Sequence, residues 1–449
     1  SGSLSSQIKH SPGNPGRFNS DVIAGLEWLA STQENKQHFY QRLAKAQQFY
    51  IATTQKAANF GKQFDPEWYG SDVVAGYFAQ AKSLIDNRRS YEVTNASNII
   101  PWVKQLGVCA KSLDRITGAR DRAIRMLKNT TVLPDTALLE LVLAGNYASE
   151  GYEVEFIPEQ KGIAKTPEFR CRLGDGDYFF VECKRLQKGP YVKQEILQHH
   201  IRSHLAELHI KSKKMNVWTD VTYLCEVKDA PENYIISHLK NFKGVFYEWN
   251  DDYGKGTIRP ANLNLIREDI TENGSLLVNT KLARLIKGSP LEDENYQVVA
   301  MGRPDERDSR FITKVKLASL ITWRCINEKS FDARSRHVTK TLAEIDNQLL
   351  DYGLGVGHIA LDVDIQKDVA DKRREKNYAA IVNFEQKSKI VRLNVHYLVP
   401  RIDENSAWMV DETADDFFTH DLVKYVIPLT KIFPEAEVFE NDQPGWHQN

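Results

Sequence analysis

Cysteine is scarce in this chain, and its cysteines are scattered. They form no C-x-x-C motif, and their number is odd. Zinc ribbons need closely spaced cysteine pairs, and disulfide scaffolds are short chains with an even count. Both classes are therefore excluded, and free thiols favour a reducing cytoplasm. The residues are Cys109, Cys171, Cys183, Cys225 and Cys325.

The chain also lacks long apolar runs and an excess of charge of either sign. No run approaches the roughly 20 apolar residues of a membrane helix. No basic-then-apolar leader is visible, so we expect a cytoplasmic protein that does not contact a membrane. Lys and Arg total 59 against 60 Asp and Glu, for a net charge of −1. This balance excludes a histone-like binder, so phosphate contacts must come from local patches.

The sequence pattern changes several times along the chain. Ser, Gly, Pro and Asn dominate the first 20 residues, which predicts a flexible N-terminus. Apolar residues then recur at intervals of three and four, which predicts helices up to about Leu127. We therefore predict a flexible segment at 1–20, an α-helical N-terminal domain at 21–130, an α/β core at 131–230, a mixed insertion at 231–330, and a C-terminal α/β region at 331–449 that could extend the core sheet.

The predicted α/β core has a definite order of elements. A helix begins at Pro134, and three short strands follow it. Gly174-Asp175-Gly176 separates the second strand from the third, which indicates a hairpin. A long helix and a further strand complete the order helix, three strands, helix, strand. The strands and the second helix are predicted at Glu153–Ile157, Glu168–Leu173, Tyr178–Lys184, Val192–Lys213 and Val217–Val227.

The pattern E-x-K stands out in this core only because of its context. The tripeptide occurs five times in the chain, beginning at Glu34, Glu159, Glu182, Glu226 and Glu385. About two copies are expected by chance, so the pattern alone means little. The copy at Glu182 ends the second strand of the hairpin, and Pro167-Glu168 begins the first. The copy at Glu226 also ends a strand, but no hairpin with a proline and an acid precedes it, so we interpret it as coincidence.

The hairpin register decides whether these side chains meet. Alternation along a strand puts Glu182 and Lys184 on one face. If the Gly-Asp-Gly loop has three residues, Leu173 pairs with Asp177, and Glu168 lies opposite Glu182. A four-residue loop would instead place Glu168 opposite Cys183, unless a bulge intervened. The three-residue loop predicts two carboxylates and one ammonium at one point.

Such a trio suits phosphodiester hydrolysis. The reaction needs an activated water and neutralisation of the developing charge, and carboxylate-bound divalent cations supply both. A neighbouring lysine can position or deprotonate the water, or stabilise the charge that develops. Its pKa could be lowered by burial or raised by the acids, and both possibilities remain open at this point.

The order of elements and the motif resemble the PD-(D/E)xK, or restriction-endonuclease-like, nuclease superfamily. The resemblance implies an α-β-β-β-α-β core over residues 134–227, with Glu168 and Glu182 as metal ligands and Lys184 as the catalytic lysine. It also implies Glu140 as a further metal ligand and a glutamine from the next helix, Gln194 or Gln198. The cofactor implied is Mg²⁺, with Mn²⁺ able to substitute. The family usually has Asp where this chain has Glu168, which puts activity in question.

The function that the resemblance implies is metal-dependent cleavage of nucleic acid. We expect DNA as the substrate, with RNA as the alternative, in a setting such as restriction or antiviral defence. The competing hypothesis is an inactive nuclease-like module that binds nucleic acid or a partner protein. A homo-oligomer, or a partner protein bound through the N-terminal helical domain, is also compatible with the sequence.

Basic residues suggest where a nucleic-acid backbone could bind. On the helix after the motif, Gln198, Arg202, His209 and Lys213 fall on one stripe. Gln198, Arg202 and Lys213 are expected to contact phosphates, with a solvated face as the alternative. A second basic cluster precedes the core and is interpreted as a solvated face, with phosphate contact as the alternative. The apolar stripe of the same helix is expected to pack on the core sheet. That stripe is Leu197, Ile201, Leu205 and Leu208, and the second cluster is Arg115, Arg120, Arg122, Arg125 and Lys128.

Overall fold

Two β-sheets organise the chain in the computed structural model of the protein. The fold class is mixed α/β, as predicted, with helices packed on both sheets. The structure describes residues 2–9, 15–60, 70–86, 98–159, 165–278, 280–289, 295–402, 408–421, 423, 427, 430–434 and 443–447.

The described residues between Pro15 and Ser149 are mostly helical. The first helix begins at Pro15, inside the segment 1–20 that was predicted to be flexible; proline is favoured in the first turn because its fixed φ suits the helix there. The helices are α1 (Pro15–Ser31), α2 (Lys36–Phe60), α3 (Val73–Asp86), α4 (Ile100–Leu113), α5 (Ala119–Lys128) and α6 (Asp135–Ser149).

Helices α1 and α4 cross at two glycines. A Cβ atom on Gly25 would lie 2.2 Å from the carbonyl oxygen of Val103, and one on Gly107 would lie 1.8 Å from that of Asp21. Any side chain at either position would separate the two helices. Close approach of the backbones therefore requires glycine at both positions.

The first sheet has seven strands and contains the hairpin. Its order is β1-β13-β12-β11-β4-β3-β2, in which β4, β11 and β12 run parallel and the other neighbours antiparallel. The strands are β1 (Gly2–Lys9), β2 (Glu153–Phe156), β3 (Phe169–Arg172), β4 (Phe179–Leu186), β11 (Leu354–Asp362), β12 (Ile390–Ile402) and β13 (Trp408–Phe418).

The second sheet is formed by residues between the hairpin and β11. Its order is β6-β7-β5-β10-β8, and β9 also pairs with β10. Alternate residues of β10 belong to different apolar clusters, so both faces of the sheet are packed over part of their length. The strands are β5 (Val217–Tyr223), β6 (Tyr247–Asn250), β7 (Gly254–Pro260), β8 (Leu276–Leu277), β9 (Asn295–Pro304) and β10 (Phe311–Cys325).

The remaining helices divide between the two sheets. Of these described helices, one precedes the strands of the second sheet, three lie among them in the chain, and three follow them. They are α7 (Pro190–Lys213), α8 (Tyr234–Asn241), α9 (Asn264–Asn273), α10 (Thr280–Lys287), α11 (Glu328–Arg334), α12 (Thr339–Leu349) and α13 (Lys367–Val382).

The strand that follows α7 does not belong to the sheet of the hairpin. The prediction that Val217–Val227 completes that sheet is wrong, because β5 pairs with β7 and β10 of the second sheet. The neighbour of β4 is β11, with Gly357 beside Glu182 in the register. Parallel neighbours need a long crossover connection, and here that connection contains the whole second sheet and ends in α12. The helix and strand that lie beside the E-x-K motif in the fold are thus α12 and β11.

The N-terminal helices and the hairpin sheet share one hydrophobic core. A single cluster of buried side chains includes Val22 of α1, Leu106 of α4, Leu139 of α6 and Val181 of β4. Strand β1 (Gly2–Lys9) forms the edge of this sheet opposite β2, and its backbone pairs with β13. This segment was expected to be flexible. The helices at 15–149 therefore support the sheet directly.

Candidate active site at the end of the hairpin

The hairpin has the register that the three-residue loop predicts. Strands β3 and β4 are antiparallel, with Phe169 opposite Val181 and Cys171 opposite Phe179. Counting one residue further places Glu168 opposite Glu182. Gly174, in the loop, has a φ of 56°, a left-handed conformation that favours glycine. The prediction that these strands are antiparallel neighbours is confirmed.

Glu182 and Lys184 form an ion pair within β4, which continues two residues beyond the lysine to Leu186. Glu182 is completely buried, and its Oε1 lies 2.6 Å from the Nζ of Lys184. The same Nζ donates a hydrogen bond to Oε1 of Gln348, on α12, over 2.6 Å. Gln348 in turn donates to the carbonyl of Thr166, two residues before Glu168. Gln348 therefore connects the lysine to the segment that carries the first acid.

Glu140 and Arg122 reach the same region from the N-terminal helices. Glu140 lies on α6 and is completely buried. Its Oε2 contacts Nη2 of Arg122, on α5, and that same nitrogen lies 3.6 Å from Oε2 of Glu168. The other terminal nitrogen, Nη1, lies 3.3 Å from Oε1 of Glu159. Arg122 thus bridges two of the predicted metal ligands.

Burial and mutual repulsion raise the pKa values of the three acids. Burial is the largest cause of the raised pKa of Glu182, which is about 8. The charge of Lys184 lowers this pKa, and the charge of Glu168 raises it. The pKa of Glu140 is raised well above its usual value by burial and then by Glu168, and that of Glu168 is raised mainly by burial. The repulsion of Glu140 and Glu182 by Glu168 means that the three carboxyl groups lie close enough to interact.

The surroundings of Lys184 favour its charged form. Burial lowers the pKa of this lysine, but attraction by Glu182 and then by Glu168 outweighs burial, so the pKa is raised. The lysine is therefore an ammonium at neutral pH in this arrangement. An ammonium can position water or stabilise developing negative charge, but it cannot accept a proton.

The carboxylates offer the oxygen ligands that hard cations prefer. Oε1 of Glu140 and Oε2 of Glu182 are buried without a hydrogen-bond partner, which is costly unless another group compensates them. Within the described ranges, however, no three acidic, histidine or cysteine side chains are arranged so that they could hold a metal ion. The cations that lie among these acids are instead Arg122 and Lys184. The donor chemistry fits Mg²⁺ or Mn²⁺, provided that Arg122 withdraws from Glu140 and Glu168.

Two of the three α7 residues that were predicted to bind phosphates are engaged in hydrogen bonds within the protein. Arg202 is only 3% exposed, and its guanidinium donates hydrogen bonds to the backbone carbonyls of Ala230 and Lys228. Gln198 is half-buried and accepts a hydrogen bond from Arg202 through its side-chain oxygen, whereas Lys213 is exposed at the end of the helix. The prediction that Arg202 reaches a phosphate is therefore wrong.

The apolar stripe of α7 also faces the opposite way from the prediction. Its four residues are 37–56% exposed, although they were expected to pack on the core sheet. Polar side chains occupy the buried face: His199 stacks on Trp323 of β10, and Glu195 pairs with Arg334 of α11. Periodicity shows which residues share a face, but it does not show which face is buried when polar groups find partners. The exposed residues are Leu197, Ile201, Leu205 and Leu208.

Two residues of the site were not selected from the sequence. Gln348 has the position that was assigned to Gln194 or Gln198, because α12 is the helix beside the motif and α7 is not. The available signal was the predicted C-terminal α/β region at 331–449, which contains both α12 and β11. Arg122 belongs to the basic cluster that was interpreted as a solvated face, yet its side chain is only 14% exposed.

Comparison of the chain with protein-family models, with curated proteins and with solved structures finds no match. None of the helices in the described part of the chain is both long enough and apolar enough to cross a membrane.

Proposed function

We propose that this chain is a divalent-metal-dependent nuclease that hydrolyses phosphodiester bonds, with DNA as the expected substrate. The observation that carries the proposal is the burial of Glu140 and Glu182 beside Glu168 and Lys184, at the end of a hairpin. Buried carboxylic acids that repel one another destabilise a fold, and such groups are concentrated at functional sites. A role in restriction or antiviral defence is part of the same proposal.

Each residue would have a distinct task. Glu140, Glu168 and Glu182 would hold Mg²⁺, which supplies Lewis acidity and lowers the pKa of bound water. Lys184, as an ammonium, would stabilise the charge that develops on the phosphate. Gln348 would keep Lys184 in place through its hydrogen bond. The Glu168 and Lys184 side chains are 20% and 22% exposed, whereas those of Glu140 and Glu182 are inaccessible, so substrate would approach from the side of Glu168 and Lys184.

A plasmid-nicking assay tests the proposal. Wild-type protein should nick or linearise supercoiled DNA in Mg²⁺ or Mn²⁺, and EDTA should stop the reaction. Lys184→Ala should reduce the rate by roughly 100-fold or more, the usual scale for loss of a group that acts on the transition state. Persistence of cleavage in EDTA would contradict metal dependence, and full activity of Lys184→Ala would contradict this assignment of the site.

The chain contains a matched control for that substitution. Glu226 and Lys228 form another E-x-K pattern just after β5, and their side chains are 3.3 Å apart. Lys228 is 57% exposed and lies outside the proposed site. Lys228→Ala should cleave at the wild-type rate. Single-stranded RNA and DNA oligonucleotides in parallel reactions distinguish the substrate classes.

A second candidate function is a nuclease-like module without catalytic activity. It is favoured by the ion pairs of Arg122 and Lys184, which already neutralise the acids. This module would bind nucleic acid or a partner protein at the same site. Retention of DNA in a gel-shift assay without cleavage in any divalent metal would support this function over the first.

A further inference from the structure

Arg122 bridges two of the acids, Glu140 and Glu168, as a metal ion bound to both carboxylates would. One nitrogen, Nη2, contacts both Glu140 of α6 and Glu168 beside the hairpin. Glu140 is completely buried, so its charge needs a partner there. A single cationic centre that bridges two carboxylates occupies the position that a shared divalent cation needs.

The guanidinium also has a second partner at the rim of the site. Its Nη1 lies 3.3 Å from Glu159, a loop residue whose side chain is 39% exposed. Glu159 lies at the same distance from Arg125. A short outward movement of Arg122 would exchange its inner contacts for closer contact with Glu159. The arginine thus has an inner and an outer acidic partner within reach of one side chain.

A divalent cation and the inner guanidinium cannot share Glu140 and Glu168. Like charges within about 4 Å repel strongly in a site with little water. Each group therefore lowers the affinity of the carboxylates for the other, as linkage requires.

We propose that Arg122 is a resident counter-ion that neutralises Glu140 and Glu168 in the metal-free protein and that a divalent cation must displace toward Glu159. This inference rests on the proposed function. It implies that α5, a helix outside the predicted nuclease core, regulates the affinity of the site for metal. Arg122 is thus a positioning residue, and its main effect is on the affinity for metal.

Binding of Mn²⁺ alone, measured by titration of the free-ion paramagnetic resonance signal, tests the proposal without any cleavage reaction. A pH of 8.5 minimises competition by protons for the acids. Arg122→Gln should bind Mn²⁺ roughly tenfold more tightly than wild type, because the competing cation is gone. Arg122→Lys retains a cation and should stay within about threefold of wild type. Glu159→Gln removes the outer partner and should bind roughly threefold more weakly.

Arg120→Gln is the matched control. Arg120 lies on the same helix and is 50% exposed, and its ion pair is with Asp114, away from the site. Its loss removes the same charge and should leave the Mn²⁺ affinity unchanged. If Arg122→Gln binds Mn²⁺ no more tightly than wild type, Arg122 is not a competing counter-ion. Because Glu159 is at the rim, Glu159→Gln should fold normally, and an unchanged affinity there would overturn the displacement.

Glu182→Gln separates this inference from the proposed function. If it abolishes Mn²⁺ binding while Arg122→Gln has no effect, the metal site is real and the counter-ion role is wrong. If only Arg122→Gln binds the metal, and wild type does not, the counter-ion role is supported in its strongest form. If neither protein binds Mn²⁺, both the role and the proposed metal site are overturned.

Discussion

Glu182-Cys183-Lys184, within β4 of the first sheet, and Glu226-Val227-Lys228, just after β5 of the second, are the same three-residue pattern. In both, the lysine pairs with the glutamate, over 2.6 Å in the first and 3.3 Å in the second. The first pair is buried among other acids. The second has an exposed lysine and a tyrosine partner, because the hydroxyl of Tyr191 donates a hydrogen bond to Glu226 over 2.9 Å.

The electrostatic consequences of these surroundings are opposite. The hydrogen bond from Tyr191, followed by Lys228, lowers the pKa of Glu226. Burial raises the pKa of Glu182 to about 8, although Lys184 opposes it. The same tripeptide therefore gives an ion pair with an exposed lysine in one place and a buried acid with a raised pKa in the other. The comparison teaches that the neighbours contributed by β3, α5, α6 and α12 distinguish the two copies.

The largest expected difference between the two copies is in cleavage. Glu182→Gln should reduce the rate of plasmid nicking in Mg²⁺ by roughly 1,000-fold or more, since a neutral amide is a poor ligand and several kcal/mol of transition-state stabilisation is lost. Glu226→Gln should remain within about twofold of wild type. Initial rates at saturating plasmid measure both. Equal losses in the two variants would remove the distinction between the copies.

The next difference is in the pH dependence of stability without metal. The pKa of Glu182 in the folded protein, about 8, exceeds its usual value of 4.5. Its contribution to stability is therefore complete below about pH 4.5 and is lost as the pH rises through 8. Urea unfolding in EDTA should show wild type losing on the order of 2 kcal/mol between pH 6 and pH 9 through Glu182. Glu182→Gln should lose less than wild type, and its remaining loss should come from the other acids with raised pKa values, Glu140 and Glu168.

The contribution of Glu226 to stability changes with pH in the opposite direction to that of Glu182. Its pKa is lowered in the folded protein, so its contribution to stability is present above the usual value of 4.5 and is lost as the pH falls through the lowered pKa. Glu226→Gln should therefore retain the wild-type slope between pH 6 and pH 9. A flattened slope in this variant, or an unchanged slope in Glu182→Gln, would assign the pH dependence to other groups.

The smallest expected difference concerns the residues that hold each pair. Gln348→Ala removes the hydrogen bond to Lys184 and should lower the cleavage rate by roughly tenfold, the scale of outer-shell contacts. Tyr191→Phe removes the corresponding contact of Glu226 and should have no effect on the rate. Restoration of activity by Gln348→Glu would be consistent with positioning of Lys184, whereas a loss equal to that of Lys184→Ala would mean that Gln348 contacts the reacting groups.

Local sequence was sufficient to predict the hairpin and its register. The Gly-Asp-Gly loop and the alternation of side chains depend only on neighbours in the chain, so Glu168 could be placed opposite Glu182 by counting. The burial of Glu140 was also predictable, since it lies in a run of apolar residues on α6. These are short-range properties of the backbone and of side-chain composition.

The tertiary structure alone decided which helix and strand complete the sheet. Residues 190–223 and 339–362 both present a helix followed by a strand, and consecutive elements are usually neighbours, so the sequence favoured the nearer pair. Pairing of β4 with β11 depends on contacts between residues far apart in the chain, which periodicity does not encode. For the same reason Gln348 and Arg122 enter the site, while Arg202 is satisfied by backbone carbonyls elsewhere.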